Sequence, residues 1–132
     1  MNNTLDRENT RQLRDAMLAR ANQLKEDIRQ TLIKTDSEHY LQIADQVHDI
    51  EAESFADLMV DVNLAEIDRD LEELRAIDAS ILRMAGGSYG SCVHCGKPIE
   101  LARLQATPHA SRCFDCQTGF ERTHYQNYGH TL

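Results

Sequence analysis

Four cysteines arranged as two C-x-x-C pairs constrain this chain more than any other feature of its sequence. Cys92 and Cys95 form the first pair, Cys113 and Cys116 form the second, and seventeen residues separate the two. A gap of two residues lets both thiolates of a pair turn toward one ion, and two such pairs complete a tetrahedral shell. The pattern predicts one structural Zn²⁺ held by all four cysteines, with no coordination position left for a substrate.

Other interpretations of the cysteines are buried thiols, reactive thiols and a redox pair. A redox C-x-x-C normally lies in a βαβ context, which the sequence does not indicate. His94 and His109 lie close to the pairs and are candidate substitute ligands if one cysteine does not bind. A segment of about 40 residues cannot bury a good core unaided, so the metal is expected to supply much of its stability.

Apolar residues at steps of three and four predict two long helices ahead of the cysteines. The first helix is predicted over residues 5–34 and the second over residues 51–85, and neither segment contains proline or an internal glycine. The first stripe consists of Leu13, Met17, Ala21, Leu24, Ile28 and Leu32. The second consists of Phe55, Leu58, Val62, Leu64, Ile67, Leu71, Leu74, Ile77 and Ile81, with a phase shift between Val62 and Leu64. Since neither stripe can be buried alone, the two helices are expected to pack against each other.

The predicted fold is therefore all-α. A long antiparallel coiled-coil hairpin is expected over residues 1–85, with its tip at about residues 35–50. A small four-cysteine zinc finger is expected over residues 86–132, and it ends in a short helix between about Cys113 and Asn127. Gly86 and Gly87 are expected to end the second hairpin helix, because glycine is the usual C-terminal stop.

The acidic charge is concentrated in the middle of the chain, which has a formal net charge of -8. Residues 35–84 carry fourteen acidic and three basic side chains. This balance argues against broad attraction to nucleic acid, which depends on Lys and Arg. The four acids Asp68, Asp70, Glu72 and Glu73 are interpreted as a solvated helix face. The polar opening and the lack of a long apolar run favour a cytoplasmic protein without a membrane helix.

Three polar residues of the predicted tip, Asp45, His48 and Asp49, are the other candidate site. They could form an acid/base pair or a second metal site, or they could be ordinary helix-end and turn residues. The sequence contains no phosphate-binding glycine loop, and no Ser-His-Asp or Cys-His arrangement can be assigned when all four cysteines bind metal. The chain is therefore predicted not to be an enzyme.

The residues around the cysteines closely resemble the zinc-finger region of the DksA/TraR family. The matching residues run from Gly87 through Cys92, continue as Cys95-Gly96-Lys97-Pro98-Ile99 and Arg103-Leu104, and end with Pro108 and Cys113-Phe114-Asp115-Cys116. The predicted hairpin is also similar to the layout of that family, so the resemblance covers nearly the whole chain.

The resemblance implies a bacterial transcription regulator that binds RNA polymerase. In that family the coiled coil enters the secondary channel, and the tip lies near the catalytic centre. Such proteins destabilise promoter complexes, repress ribosomal RNA promoters and favour some others, often with guanosine tetraphosphate in the stringent response. The resemblance thus implies RNA polymerase as the partner, without a need for sequence-specific DNA binding. The protein is expected to be a monomer.

The tip motif and the position after the fourth cysteine depart from the pattern of the family. The family's tip motif is Asp-x-x-Asp-x-Ala, and the local match keeps Asp45 but places His48 at the second acid and Ile50 at the alanine. Asp49 is the functional acid if the register is shifted. The lysine that usually follows the fourth cysteine, and that is implicated in guanosine tetraphosphate binding, is Gln117 here.

Two further functions stay open from the sequence. A zinc-finger DNA-binding or adaptor protein is suggested by Arg103, Arg112 and Arg122, which lie near the cysteines. A dimerising coiled coil with a metal cap would need only self-association.

Overall fold

A computed structural model describes residues 5–35, 38–59 and 65–129, with side chains described as far as residue 123. Six α-helices and one 3₁₀ turn lie in these ranges. They are α1 (Arg7–Lys34), α2 (Glu38–Ala44), the 3₁₀ turn (Val47–Asp49), α3 (Ala52–Leu58), α4 (Ala65–Gly86), α5 (Leu101–Ala106) and α6 (Phe114–Gly129). The described part of the chain contains an isolated bridge between Ser91 and Pro98 but no β-strand. The all-α prediction is confirmed.

The chain divides into two compact units. One unit is Arg14–Ala79, and the other joins the residues up to Leu13 with those from Ser80 onward. The predicted domain boundary between residues 85 and 86 stays a prediction. Over the described ranges, none of the helices combines the length and the apolar character that crossing a bilayer requires.

The hairpin core is built from the two predicted stripes. In α1, all six stripe residues are buried, and in α4 the four residues Ile67, Leu71, Leu74 and Ile77 are buried. The helices run antiparallel in the unit Arg14–Ala79. Arg20 pairs with Glu73, while Asp27, further along α1, faces Asp70, which comes earlier in α4. Burial, with the Asp27 charge added, raises the pKa of Asp70.

The second predicted helix is two helices. α3 ends at Leu58, where the N–H of Met59 is shared between the carbonyls of Phe55 and Ala56 and the last turn tightens. α3 buries Ala52, Phe55 and Met59, whereas the side chain of Leu58 is 43% exposed. The inclusion of Leu58 in the apolar stripe was therefore wrong. The predicted phase shift between residues 62 and 64 lies outside the described residues.

Glycine ends α4 as predicted. The N–H of Ser88 bonds to the carbonyl of Arg83, and the N–H of Gly87 bonds to the carbonyl of Met84. This pair of bonds is a Schellman motif, which requires a left-handed residue, and Gly87 has φ +82. The motif turns the chain from α4 into the cysteine segment.

The start of α1 packs against the same segment. Asp6 caps the helix by accepting the N–H of Asn9 at 2.7 Å. Leu5 lies over Gly90, which has φ +89, and a Cβ at that glycine would stand 2.7 Å from Leu5 Cδ2. Leu104, fully buried, lies next to this contact. The N-terminal leucine thus covers the small core of the cysteine-containing unit.

Candidate metal centre and hairpin tip

The first cysteine pair lies on a tight knuckle. Its backbone is fixed by the N–H of Gly96, which bonds to the carbonyl of Cys92 at 2.9 Å, and by the N–H of Cys92, which bonds to the carbonyl of Lys97 at 2.8 Å. Gly96 has φ +78, a left-handed conformation that an L side chain would strain. The N–H of Cys95 points back at the Cys92 sulfur, 3.5 Å away. The knuckle therefore directs both sulfurs to one side.

The second pair is placed by α6. Cys113 immediately precedes the helix and Cys116 lies in its first turn, where the N–H of Gln117 bonds to the Cys113 carbonyl at 2.9 Å. The two cysteine pairs are tied together by the N–H of Val93, which donates to the carbonyl of Ser111 at 2.8 Å. This backbone bond helps to fix the distance between the knuckle and the helix.

The four sulfurs come together as the sequence predicts. They all lie within 4.8 Å of one another, and the Cys95 and Cys113 sulfurs are 3.8 Å apart. Zinc–thiolate bonds of about 2.3 Å in a tetrahedron place sulfurs about 3.8 Å apart, so the cluster fits one Zn²⁺. Four thiolates leave no open position, which fits a structural ion. His94 and His109 are not members of this cluster.

The protein around the sulfurs favours unequal protonation of the thiols. Burial opposes ionisation of Cys92, but the N–H groups of Cys95, Cys113 and His94 outweigh it and lower its pKa to about 5. The opposite holds for Cys116, where the neighbouring sulfur of Cys113, together with burial, raises the pKa to about 12. Four sulfurs this close cannot all carry a negative charge without a cation between them.

Tyr89 holds the cysteine segment to the rest of its unit. The ring is buried, and the hydroxyl donates a 2.7 Å hydrogen bond to the carbonyl of Pro108. Burial raises the pKa of Tyr89 to about 12. The N–H of Tyr89 bonds to the carbonyl of Arg83 at 3.2 Å, and the Arg83 guanidinium donates to the hydroxyl of Ser80, which is fully buried, at 2.9 Å. The end of α4 is thereby connected to the loop between the cysteine pairs.

Two of the three arginines near the cysteines have internal partners. Arg103 donates from Nε to the carbonyl of Arg112 at 2.9 Å, and the guanidinium of Arg112 lies 4.0 Å from the centre of the Phe120 ring. Arg112, Phe120 and the exposed His94 line a groove of about 530 Å³. Arg122 is exposed on α6. These contacts engage Arg103 and Arg112 in holding the finger together.

The three predicted tip residues lie at and beside the 3₁₀ turn. Asp45 follows the last residue of α2, and His48 and Asp49 belong to the turn itself. All three side chains are exposed, whereas Val47 between them is buried. The interpretation as helix-end and turn residues describes their backbone, and the four cysteines are the only clustered metal-binding group among the described residues.

Sequence reasoning missed one residue that contacts the tip. Glu26, on α1, places Oε2 3.0 Å from Nε2 of His48, although the two residues are 22 apart in the chain. No periodicity or motif signals such a pair, because it depends on how the tip folds back on α1.

Comparison with known proteins identifies the family. The model of the prokaryotic dksA/traR C4-type zinc finger matches residues 87–122. An RNA polymerase-binding transcription factor DksA of Caulobacter vibrioides is 31% identical over 119 residues, which cover 86% of this chain and 79% of the relative. A Haemophilus influenzae protein of the same name is 33% identical over 57 residues, or 43% of this chain and 39% of that protein.

A solved structure has the same fold. The transcription factor DksA2 from Pseudomonas aeruginosa matches with a TM-score of 0.59 and 24% identity, covering 91% of this chain and 88% of that one. The fold and the four-cysteine site define a helical zinc-finger protein. More particularly, the chain belongs to the DksA/TraR family. The Caulobacter vibrioides and Haemophilus influenzae relatives are named as transcription factors and not as enzymes, in agreement with the prediction from the sequence.

Proposed function

We propose that the protein regulates transcription by binding RNA polymerase through the secondary channel, with the hairpin tip close to the catalytic centre. The observation that carries this proposal is the relationship to the Caulobacter vibrioides RNA polymerase-binding factor over nearly the whole chain. The antiparallel pairing of α1 and α4 and the exposed carboxylates of Asp45 and Asp49 support it. In this proposal the protein acts in the cytoplasm as a monomer.

The effect on transcription is exerted after docking. A carboxylate brought near the catalytic centre changes the electrostatic field around the bound metal and nucleic acid, and so alters the lifetime of the promoter complex. Ribosomal RNA promoters are the proposed targets, in a response of the stringent type. Docking and action then depend on different residues, which makes the two separable by mutation.

Zinc has a structural role in this proposal. Cys92, Cys95, Cys113 and Cys116 hold the ion, which joins the knuckle to the start of α6 and adds to the stability that the small hydrophobic core of so short a segment supplies. The ion supplies no chemistry beyond this link. Its binding keeps the finger folded while the hairpin is engaged.

Guanosine tetraphosphate is proposed as a co-regulator whose contact differs from the family pattern. Gln117 occupies the position of the usual lysine, and its side-chain amide donates to Glu121 at 2.9 Å. A neutral amide held along α6 offers a phosphate no positive charge. We therefore expect only a weak response to the alarmone in promoter-complex assays, and Gln117→Lys is expected to strengthen it. An unchanged response in that variant would contradict this role of position 117.

The docking mode is tested by competition with a Gre-type cleavage factor for core RNA polymerase. Displacement of the cleavage factor supports the secondary channel, whereas simultaneous binding of both proteins contradicts it. The action of the tip is tested with Asp45→Asn and Asp49→Asn, which are expected to lose the effect on promoter-complex lifetime while retaining affinity. Asp57→Asn is a matched control, because this exposed acid lies on α3 of the same unit. Equal activity of all three variants would refute the tip assignment.

DNA binding is the second function to be tested. Salt-dependent binding of a promoter fragment by the protein alone would favour it, and the slope would count the phosphate contacts. The internal contacts of Arg103 and Arg112 speak against a large basic surface in this unit.

A further inference from the structure

The contact between Glu26 and His48 joins the tip to a helix that the tip motif does not include. We propose that Glu26 is a positioning residue for the tip. Its carboxylate holds His48, so that the 3₁₀ turn presents Asp45 and Asp49 as the two outward-facing acids. This inference rests on the proposed function of the tip, and it divides the three predicted tip residues into one that anchors and two that act.

The carboxylate of Glu26 is itself fixed by its own helix. Oε1 accepts hydrogen bonds from Arg29 and Gln30, both at 2.9 Å, while Oε2 is turned to Nε2 of His48 at 3.0 Å. The hydrogen bond from Gln30, followed by those from His48 and Arg29, lowers the pKa of Glu26 to about 2. The group is therefore ionised at physiological pH. A carboxylate with one oxygen committed to its own helix is a rigid acceptor for a side chain arriving from elsewhere.

The turn that carries His48 is held from two sides. Val47 is buried in the core of the unit, and the residues on either flank, Ala44 at the end of α2 and Ala52 at the start of α3, are buried as well. Within the segment, the N–H of Asp49 bonds to the carbonyl of Gln46 at 3.0 Å. His48 adds a lateral anchor to α1. With Val47 directed inward and His48 directed to Glu26, the rotation of the turn about its own axis is fixed.

The two remaining polar side chains then face outward. Asp45 and Asp49 are exposed, and neither carboxylate has a hydrogen-bond or ion-pair partner among the residues that the structure describes. They are available to a partner, whereas the imidazole of His48 is already engaged. Loss of the Glu26 contact would leave both acids in the sequence, but the orientation of their side chains would no longer be fixed.

Glu26→Ala tests the proposal, and Glu8→Ala is its matched control. Glu8 makes the same contacts along α1, to Arg11 three residues on and Gln12 four residues on, and the described contacts of its carboxylate include no residue of the tip. We expect Glu26→Ala to reduce the effect on promoter-complex lifetime about three- to tenfold, with less than a twofold change in polymerase affinity. Glu8→Ala should change neither. Circular dichroism and thermal melting of both variants verify that the fold is kept.

Two readouts separate positioning from general destabilisation. The imidazole ¹⁵N and ring-proton signals of His48 are expected to shift in Glu26→Ala and to stay unchanged in Glu8→Ala. His48→Ala and the double variant Glu26→Ala/His48→Ala should have equal activity, because removing Glu26 costs nothing further once its partner is gone. Additive losses in the double variant, or unchanged His48 signals in Glu26→Ala, would overturn the proposal.

The outcome also distinguishes this proposal from the function on which it rests. If the wild-type protein lengthens or shortens promoter-complex lifetime and Glu26→Ala behaves like Glu8→Ala, only the positioning role is overturned. If the wild-type protein binds polymerase without any effect on promoter-complex lifetime, the proposed function is refuted. The proposed contribution of Glu26 to that function is then refuted as well.

Discussion

Replacing Tyr89 by phenylalanine removes one hydrogen bond from the finger and nothing else. The hydroxyl donates to the carbonyl of Pro108, which lies in the loop between the two cysteine pairs. A hydrogen bond of this kind contributes about 1 kcal/mol net, and leaving the half-buried carbonyl without its donor adds a further desolvation cost. We expect a loss of about 1 to 2 kcal/mol in the free energy of unfolding.

The loss is measured by thermal melting of the zinc-loaded protein. For a chain of this size, 1 to 2 kcal/mol corresponds to a fall in Tm of roughly 3 to 8 °C. Zinc should also transfer faster to a chromogenic chelator, since the loop that connects the ligand pairs opens more often. Tyr40→Phe is the control, because the described residues give the half-buried Tyr40 a ring contact with His39 but no hydrogen bond to its hydroxyl.

The pH dependence of the free energy of unfolding gives a second, independent test of the Tyr89 hydroxyl. The pKa of Tyr89 is about 12 in the folded protein and about 10 for an unperturbed tyrosine, so the unfolded chain loses this proton first as the pH rises. The stabilisation is therefore present below pH 10 and is lost between about pH 10 and 12. A difference of two in pKa between the folded and the unfolded protein corresponds to at most about 2.7 kcal/mol, and solvent screening at the hydroxyl reduces this to about 1 to 2 kcal/mol. A Tyr89→Phe variant with the wild-type Tm and the wild-type fall in stability above pH 10 would refute the reasoning.

Three further predictions concern the core, the hairpin and the metal. Leu24→Ala should cost about 3 to 5 kcal/mol in chemical denaturation, because Leu24 is fully buried, whereas Leu18→Ala on the exposed side of α1 should cost less than about 1 kcal/mol. Arg20 and Glu73 form two hydrogen bonds of 2.7 and 3.0 Å. A double-mutant cycle on this pair should give a coupling energy of about 0.5 to 1 kcal/mol that falls at high salt. A coupling energy of zero would show that the pair does not contribute to stability. Chelation of zinc should remove helical signal from the cysteine-containing unit while most of the Arg14–Ala79 signal survives, and a metal-free protein of unchanged thermal stability would exclude a structural role for the ion.

The local features were predictable because they depend on residues that are close in the chain. The three- and four-residue spacing of the α1 stripe fixes which face is buried, and the glycines at positions 86 and 87 end α4 wherever it packs. The same logic failed at Leu58, where the periodic pattern continues but the helix ends. Helix termini are decided by a few hydrogen bonds, which the apolar pattern does not report.

The sequence by itself determined the fold class of this protein and the family that it resembles, and it predicted the four zinc ligands. Cysteine spacing restricts the geometry of a metal shell so strongly that little else is needed. Only the tertiary structure decided how the candidate site is held. Glu26 meets His48 across 22 residues, Tyr89 meets Pro108 across 19, and Arg20 meets Glu73 across 53. Such contacts follow from the packing of whole elements, since a pair this far apart has no local backbone geometry that could specify its distance.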